Sequence, residues 1–473
     1  MSLTGTRSAR GTGGDHLWPE LPAALRDAAI TTGHPRYHLV RANYMTVGSP
    51  QLVIMAETED EVSAAIRYAV LVRSSTGQRI PLSFRSGGHG MSGSSVNDGG
   101  IIIDISRMNR VELLDPASGL VRVQAGAIWG DVASALAPHD LVITSGNFGD
   151  TGVGGLGTSG GVGFFIRAHG LTIDHIHAAH IITADGTIHR VDAEHEPDLF
   201  WAVRGGGSQI GMTTEFVFEA ERLHSQDGDA SVINQMGQYL VTDLPSFVTS
   251  WGDWIGEAPR EMTSFLMLQP VNDGRVAVQA FNVWAGTDIA KATPVIEDAT
   301  KLAKMMSHQA FVAAYPSIVP TPRAQHTGQQ HIRLRDVLVD RTDRRLGEAF
   351  TESFRHRTTA MGELRSLGGA VADIPADATA WAGRHQQALA ATWVRPDGQT
   401  LEDESFAPLR RLGTGAYGAY SSDTSPAAAD RAWPGDTGRR LRLIARRVDP
   451  DGLFDQGLHL RHGDPATSSG RSR

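Results

Sequence analysis

The chain contains no cysteine and only three lysines, Lys291, Lys301 and Lys304, among 473 residues. The missing cysteine excludes a disulfide framework, thiolate-bound zinc, iron–sulfur clusters and a cysteine nucleophile. Long apolar runs are missing too: no stretch approaches the roughly 18 residues that span a bilayer. The N-terminus passes through Ser, Thr, Gly and Arg to Asp15 without an apolar targeting core, so a soluble, cytoplasmic protein is expected. An excess of positive charge is likewise absent. With 43 basic against 52 acidic side chains the formal charge is −9, which leaves the chain as a whole no basic footprint for nucleic acid or an anionic membrane. A composition of 41% hydrophobic and 20% charged residues suits a globular enzyme of one large or two closely joined domains, neither disordered nor fibrous.

Glycine is what the chain has in excess. There are 53, clustered between Gly87 and Gly211. Ahead of the cluster, Leu52 to Met55 reads as a short strand. Thr58-x-x-Glu61 then forms a capping-box pattern, followed by Val62, Ala65, Ile66, Ala69 and Val70 at helical spacing. Strands are expected over Ile80–Phe84, Ile101–Ile105, Arg110–Leu114 and Leu120–Gln124, and a helix over Ala127–Ala137. Ile176–Thr183 and Thr187–Val191 read as a hairpin turning at Asp185-Gly186, and Pro197 opens a short helix that Gly205–Gly207 stops. From about Ser225 the glycines thin out. Alternating strands appear at Ser264–Pro270 and Arg275–Trp284, with a helix expected over Asp288–Met305. The expected organisation is a cofactor-binding unit over 1–224, a second domain over 225–411 and a C-terminal segment 412–473. That segment carries an arginine-rich helix over Arg439–Val448, Asp449-Pro450 as its stop, and a frayed tail of a dozen residues.

Two glycine stretches carry the chemistry. In Phe84-Arg-Ser-Gly-Gly-His-Gly90 the glycines follow an apolar strand, where the lack of a Cβ lets backbone N–H groups converge on an anion; Arg85 adds charge, unless it serves a simple ion pair. His89 sits inside this cradle, although a lone histidine is more often a satisfied polar group. Gly152-Val-Gly-Gly-Leu-Gly157 matches the G-x-G-x-x-G fingerprint literally. Yet Ser145–Thr151 separate it from the strand candidate Leu141–Thr144, and Gly160, Gly161 and Gly163 follow where a helix should begin. A pair of backbone clamps around one extended cofactor, or a set of tight turns, fits that spacing better than a Rossmann unit. His175, His177 and His180 do not fit a metal site, since strand alternation puts His180 on the opposite face from the other two and no HExxH or carboxylate partner is placed nearby. No G-x-S-x-G elbow supports a serine hydrolase. Tyr417, Tyr420 and Asp423 form an acid/base-capable cluster, for which plain packing is the alternative.

Taken together these segments resemble a known family. Arg85-Ser-Gly-Gly-His89 followed by Ser92-Gly93 is similar to the flavin-attachment loop of the berberine-bridge-enzyme-like branch of the vanillyl-alcohol-oxidase and p-cresol-methylhydroxylase (PCMH) flavoproteins. Ile102–Asn109 resembles its "LDLSRMN" segment and Gly152–Gly163 its second glycine loop. Gly170-Leu171 with Asp174 matches a "GLxxD" step, Ala184–Gly186 an "ADG" turn, Asp198–Gly207 a "DLFWAxRGGG" run, and Arg440–Phe454 the closing segment.

The resemblance implies an α+β, two-domain PCMH-type fold, with FAD held between two α+β subdomains and a substrate domain built on an antiparallel sheet. It implies cofactor contacts from Arg85, Ser86, Gly87, Gly88, His89, Gly90, Ser92, Gly93, Gly146, Asp150, Thr151, Gly152, Gly154, Gly155, Gly157, Thr158, Gly163, Asp174, Ile176 and Gly211. His89 falls on the residue joined to the 8α-methyl group of the flavin. A second tether is a cysteine in many members; that position is Phe148 here, so a single histidyl link is implied, as in the 6-hydroxy-D-nicotine oxidase type. Thr151 falls on the position that gates oxygen. The family's Tyr-x-Asn-Tyr-x-Asp segment corresponds to Tyr417-Gly-Ala-Tyr420-Ser-Ser-Asp423, with Ala419 replacing asparagine and one extra residue before the aspartate. Tyr420 is expected as the base, its pKa lowered by neighbouring positive charge or hydrogen bonds, with Tyr417 as the other catalytic candidate. The expected partners are a small-molecule substrate and O2, and no resident metal. The expected activity is hydride removal to the flavin with peroxide release. A flavin dehydrogenase, an oxidatively cyclising natural-product enzyme, or a redox-inactive flavin-containing binding protein are the alternatives.

Overall fold

A computed structural model describes residues 18–225, 228–271, 273–322, 326–328 and 332–460. Its first half holds two sheets. In one, Leu52–Met55, Ile101–Asp104 and Leu82–Arg85 lie side by side and parallel, with Ala29–Thr31 antiparallel at the edge. The parallel strands are short, apolar and buried on both faces, as parallel pairing requires. The helix Glu59–Thr76 starts where the capping box places it: Thr58 Oγ1 accepts from the Glu61 N–H at 3.2 Å, and Glu61 Oε2 accepts from the Thr58 N–H at 3.3 Å. It ends at Gly77, whose φ of 65° is the left-handed stop. Val62, Ala65, Ile66 and Ala69 bury against the sheet.

The second sheet is antiparallel, in the order Val111–Asp115, Leu120–Gln124, Met212–Glu219, Ile176–Ile182, Ile188–Val191. Its hairpin turns at Asp185-Gly186 as the sequence predicts.

An eight-stranded antiparallel sheet dominates the middle of the chain. Its order is Met305–Ala314, Ser231–Val241, Val276–Trp284, Met262–Pro270, Thr359–Ser366, Ala388–Val394, Arg333–Val339, Gly413–Gly415. The helices Leu244–Glu257, Ile289–Ala299, Arg344–Ser353 and Gln399–Arg410 cover one face over a core of Trp251, Phe350 and Phe406. Phe265, Leu389 and Ala391 on the other face join the core of the first half, so one apolar layer runs through both. The C-terminal segment contributes the Gly413–Gly415 strand to this sheet. Its helix Gly435–Val448 then packs back on the helix Pro197–Val203 of the first half.

Two expectations change. The helix expected over Asp288–Met305 stops at Ala299, and Met305 instead opens the outermost strand of the large sheet. That strand is exposed over most of its length, so no alternation of polarity marked it. The second glycine stretch, read as a clamp or turns, contains a short helix, Val153–Ser159, with Gly152 at its N-cap. Glycine is a poor helix former, but close packing demands it here: a Cβ on Gly157 would sit 3.2 Å from the Phe216 ring. The tail of a dozen residues expected at the C-terminus lies outside the described residues. Among the described residues no helix is long and apolar enough to cross a membrane.

Candidate active site

Leu82–Arg85 delivers the segment Ser86–Gly90 to the mouth of the first sheet, where it meets the segment leading into the Val153–Ser159 helix. The two glycine stretches touch. A Cβ on Gly87 would lie 2.3 Å from the Gly152 nitrogen, and one on Gly152 would lie 2.1 Å from the Gly87 nitrogen. Neither position tolerates alanine without moving backbone. A continuous cleft opens beside this contact, between the first half and the large sheet, lined by both glycine stretches, Gly205–Gln209, Trp381, Arg365 and Tyr417–Tyr420. A Cβ on Gly155 meets no protein atom within 4 Å and so would project into the cleft. Backbone this bare along an extended groove suits a cofactor that must approach main-chain N–H groups.

Most of the residues singled out in the sequence converge here: Arg85, Ser86, Gly87, Gly88, His89, Gly90, Ser92, Gly146, Thr151, Gly152, Gly154, Gly155, Thr158, Gly211, Tyr417 and Tyr420 all line the cleft. Arg85 is the ion-pair case, since its guanidinium is buried against Asp104 and also donates to the Ala42 carbonyl at 3.0 Å. The rest lie behind the wall. Gly93 takes a turn with φ of 75°, Gly157 backs on Phe216, and a Cβ on Gly163 would overlap the Ser145 carbonyl. Ile176 is a buried strand residue. Asp174 accepts two 2.8 Å hydrogen bonds from Arg384 and one at 2.9 Å from the Leu171 N–H, which ties the segment after the second glycine stretch to the half that carries the large sheet. Phe148, at the position the resemblance gives to a second tether, lines the cleft and is 42% exposed. The histidines read as unfit for a metal stay apart. His175 ends a short helical turn and is buried, His177 is exposed, and His180 bonds Glu59 at 2.8 Å.

His89 lies in a polar box at one side of the cleft. Its ring stacks on Tyr44, centroids 4.7 Å apart and 16° from parallel, and His326 stands edge-on at 5.0 Å. The His89 Nε2 atom is 3.0 Å from Asp150 Oδ2, out of line for a hydrogen bond as the rings stand. Donor atoms of His89, Asp150 and His326 lie within 4.8 Å of one another. The His326 Nε2 atom is 2.9 Å from the Gly87 carbonyl, so it carries the proton and donates. Burial, reinforced by His89, lowers the His326 pKa and keeps that ring neutral.

The tyrosines occupy the opposite wall. Tyr420 donates to Glu363 Oε2 at 2.8 Å and accepts from Arg365 Nη2 at 2.8 Å. Arg365 pairs with Glu363 at 2.6 Å, lies over the rings of Tyr420 and Phe265, and reaches Asn147 Oδ1 at 3.2 Å. Trp393 Nε1 donates to the same Glu363 oxygen at 2.9 Å. Burial works against the Arg365 charge, but Glu363 and Tyr420 outweigh it and hold the guanidinium protonated more firmly than usual. The expected lowering of the Tyr420 pKa is reversed: burial raises it well above the ordinary value, Arg365 lowers it, and Glu363 raises it again. Tyr417 is pushed up to about 12, chiefly by burial, while its hydroxyl accepts from the Gly161 N–H at 3.1 Å.

Sequence reasoning missed Glu363, Arg365, Trp393 and Asn147. A signal was present: Glu363 and Arg365 are two apart in a strand with no other charged residue, so both face the same side of a buried sheet, where charges persist only if paired.

The comparisons agree with this geometry. Residues 50–192 match the FAD binding domain family. An uncharacterized FAD-linked oxidoreductase of Bacillus subtilis, YgaK, is 24% identical over 91% of this chain and 96% of its own length. Among solved structures, 6-hydroxy-D-nicotine oxidase from Arthrobacter nicotinovorans superposes with a TM-score of 0.75 at 22% identity, covering 90% of this chain and 96% of that one. Physcomitrella patens BBE-like 1 superposes with a TM-score of 0.77 at 18% identity, covering 93% and 99%. Residues 50–192 are thus an FAD binding domain, set in a chain that is similar over nearly its whole length to an FAD-linked oxidoreductase and that shares the fold of these solved structures.

Proposed function

We propose that the protein is an FAD-dependent oxidase of a small molecule, with the flavin tethered once, through His89. The observation that carries the catalytic part is the Tyr420 hydroxyl, held between Glu363 and Arg365 in the wall of the cleft. Bound FAD supplies a hydride acceptor for a substrate C–H bond and an outlet for the electrons to dioxygen. This chain's residues do the rest. The substrate's O–H or N–H proton passes to Tyr420 as the phenol hands its own proton along the existing hydrogen bond to Glu363. Such a relay avoids a free buried tyrosinate, whose cost the raised Tyr420 pKa expresses. Arg365 donates to the phenol oxygen and offsets the charge that builds on it. Trp393 and Asn147 hold Glu363 and Arg365 in place. Thr151 lines the cleft as the residue that admits dioxygen.

The substrate therefore carries an ionisable O–H or N–H on or next to the carbon that loses hydride, as alcohols, amines, lactols and phenols with benzylic carbons do. The oxidase named among the similar structures supports this reaction class, and the missing cysteine supports a single tether. The test has two parts. Acid-precipitated wild-type protein is expected to stay yellow, while His89→Ala releases FAD to the supernatant; a colourless wild-type pellet removes the covalent link. Anaerobic bleaching of the flavin band against a panel of those four classes, followed by air and a peroxide assay, identifies the substrate class. Bleaching without peroxide on aeration points to a dehydrogenase.

A further inference from the structure

The polar box around His89 is more elaborate than a tether needs. A histidine that only bonded a carbon atom could sit on any wall. This one is clamped between the Tyr44 face and the His326 edge, and its Nε2 is a buried nitrogen whose nearest acid is Asp150, 3.0 Å away. Asp150 Oδ1 is also buried, with no hydrogen-bond partner among the described residues. His89 lines the cleft, whereas Asp150 does not, and both of these atoms are closed off from solvent. Asp150 is thus a largely enclosed acid, one of whose oxygens has no partner among the described residues, beside an imidazole that lines the groove. A carboxylate that merely stabilised the fold would be satisfied, because an unpaired buried polar atom is costly.

Building on the His89 link proposed above, we infer that Asp150 is the positioning residue and proton acceptor for covalent attachment. A small turn of the His89 ring brings the 3.0 Å approach of Nε2 to Asp150 into line; Asp150 then fixes the Nε2–H tautomer, so that the lone pair for bond formation is on Nδ1, and takes the Nε2 proton as the bond forms. The balance closes. An N–C bond forms between Nδ1 and the 8α carbon; one hydrogen leaves the 8α-methyl group and one leaves the imidazole, both as protons. The two electrons from the broken C–H bond remain on the flavin ring, which becomes two-electron reduced. Dioxygen reoxidises it, giving hydrogen peroxide. Without a base at Nε2 the imidazole would hold an extra positive charge as it alkylates, inside a box already lined by His326 and close to Arg85. The neutral His326, its Nε2–H committed to the Gly87 carbonyl, acts as a wall and adds no competing charge.

The experiment separates attachment from binding. Wild type, Asp150→Asn, Asp150→Glu and His89→Ala are incubated with excess FAD and filtered to measure total bound flavin. Acid precipitation at successive times then divides that flavin between pellet and supernatant. Asp150→Asn is expected to bind FAD yet fill the pellet at least tenfold more slowly than wild type, and Asp150→Glu, which restores the carboxylate, to fill it faster than Asp150→Asn. Attachment in Asp150→Asn at the wild-type rate overturns the inference. So does loss of bound flavin from pellet and supernatant alike in both Asp150 variants, which would make Asp150 part of the scaffold. A wild-type pellet without flavin overturns the His89 link itself, whatever the Asp150 variants do.

Discussion

A phenol that donates to a carboxylate while accepting from a guanidinium has no free choice of protonation, and this fixes what each side chain around Tyr420 can contribute. Tyr420→Phe keeps the ring over Arg365 and deletes both hydrogen bonds. Flavin reduction is expected to slow by roughly a hundredfold or more with FAD still attached. Glu363→Gln is the sharper probe. Its amide oxygen can still accept from the phenol but cannot take the proton, so a relay loses at least about tenfold in reduction rate. Rapid-reaction spectroscopy of the anaerobic half-reaction measures both, and an unchanged rate in Glu363→Gln confines the base to Tyr420 alone. Beneath Tyr417 a second acid carries a pH signature. Asp336 is fully buried, accepts from the Tyr417 N–H at 2.6 Å, and is raised to about 7 by burial, with Asp423 adding to the rise against that hydrogen bond and the neighbouring arginines. Its folded pKa lies above the unfolded value near about 4, so the native state holds this proton longer. The stability it contributes is complete below about pH 4 and is lost as pH rises towards 7. Asp336→Asn keeps an acceptor for Tyr417 and is expected to flatten that part of the melting-temperature profile; parallel profiles would place the proton elsewhere.

At the scale of elements, the segment 146–152 is built so that it could carry the proposed oxygen gate. Gly146, Thr151 and Gly152 reach the cleft, while the backbone is tied on the outer side: the Thr151 N–H donates to the Phe148 carbonyl, and Trp129 N–H donates to the Thr151 carbonyl at 3.0 Å. The side chain at 151 can therefore change without moving the loop. Thr151→Leu is expected to slow reoxidation of photoreduced flavin by dioxygen by about tenfold or more, leaving anaerobic reduction within a factor of about two. An equal rate in air-saturated buffer refutes the gate. The two glycine stretches, the capped helix and the Asp185-Gly186 hairpin were legible because each rests on a rule local in sequence: a Cβ excluded, a cap completed, a turn with positive φ. What stayed illegible depends on partners far away. Glu363, Arg365 and Trp393 acquire meaning only when adjacent strands pair and Tyr420 arrives from the C-terminal segment, and His326 only when it folds over Gly87. The Met305–Ala314 strand failed for another reason, since an exposed edge need not alternate.

The whole molecule is held together across the groove it uses. The inner face of the large sheet shares one core with the first half, and arginines cross the seam, among them Arg365 to Asn147 and the Val162 carbonyl, Arg384 to Asp174, Arg204 to the Ala378 carbonyl, and Arg167. Arg167 is the most telling, because it touches only main chain. From the short helix Ile166–His169 its guanidinium donates to the carbonyls of Ala258, Pro259 and Met262, at 3.1, 3.3 and 2.6 Å, where the helix Leu244–Glu257 turns into the strand Met262–Pro270. A cation there meets the carbonyl of the C-cap residue Ala258 and two more from the turn that leads into the strand. Burial lowers the Arg167 pKa to about 10, still far above neutral pH, so the charge persists. Arg167→Ala strands those carbonyls in a largely buried seam and is expected to cost about 2–4 kcal/mol. Lysine, with one compact ammonium in place of a fork, cannot serve three separated acceptors, so Arg167→Lys should recover little of the loss. Since the apolar layer is continuous across the seam, calorimetry is expected to show a single transition, shifted down. Two resolved transitions would mean that the halves fold independently and that the arginines, rather than the shared core, couple them. Either variant should also slow the uptake of FAD by the apoprotein, before any covalent link forms, because the groove's two walls belong to opposite sides of the seam that Arg167 closes.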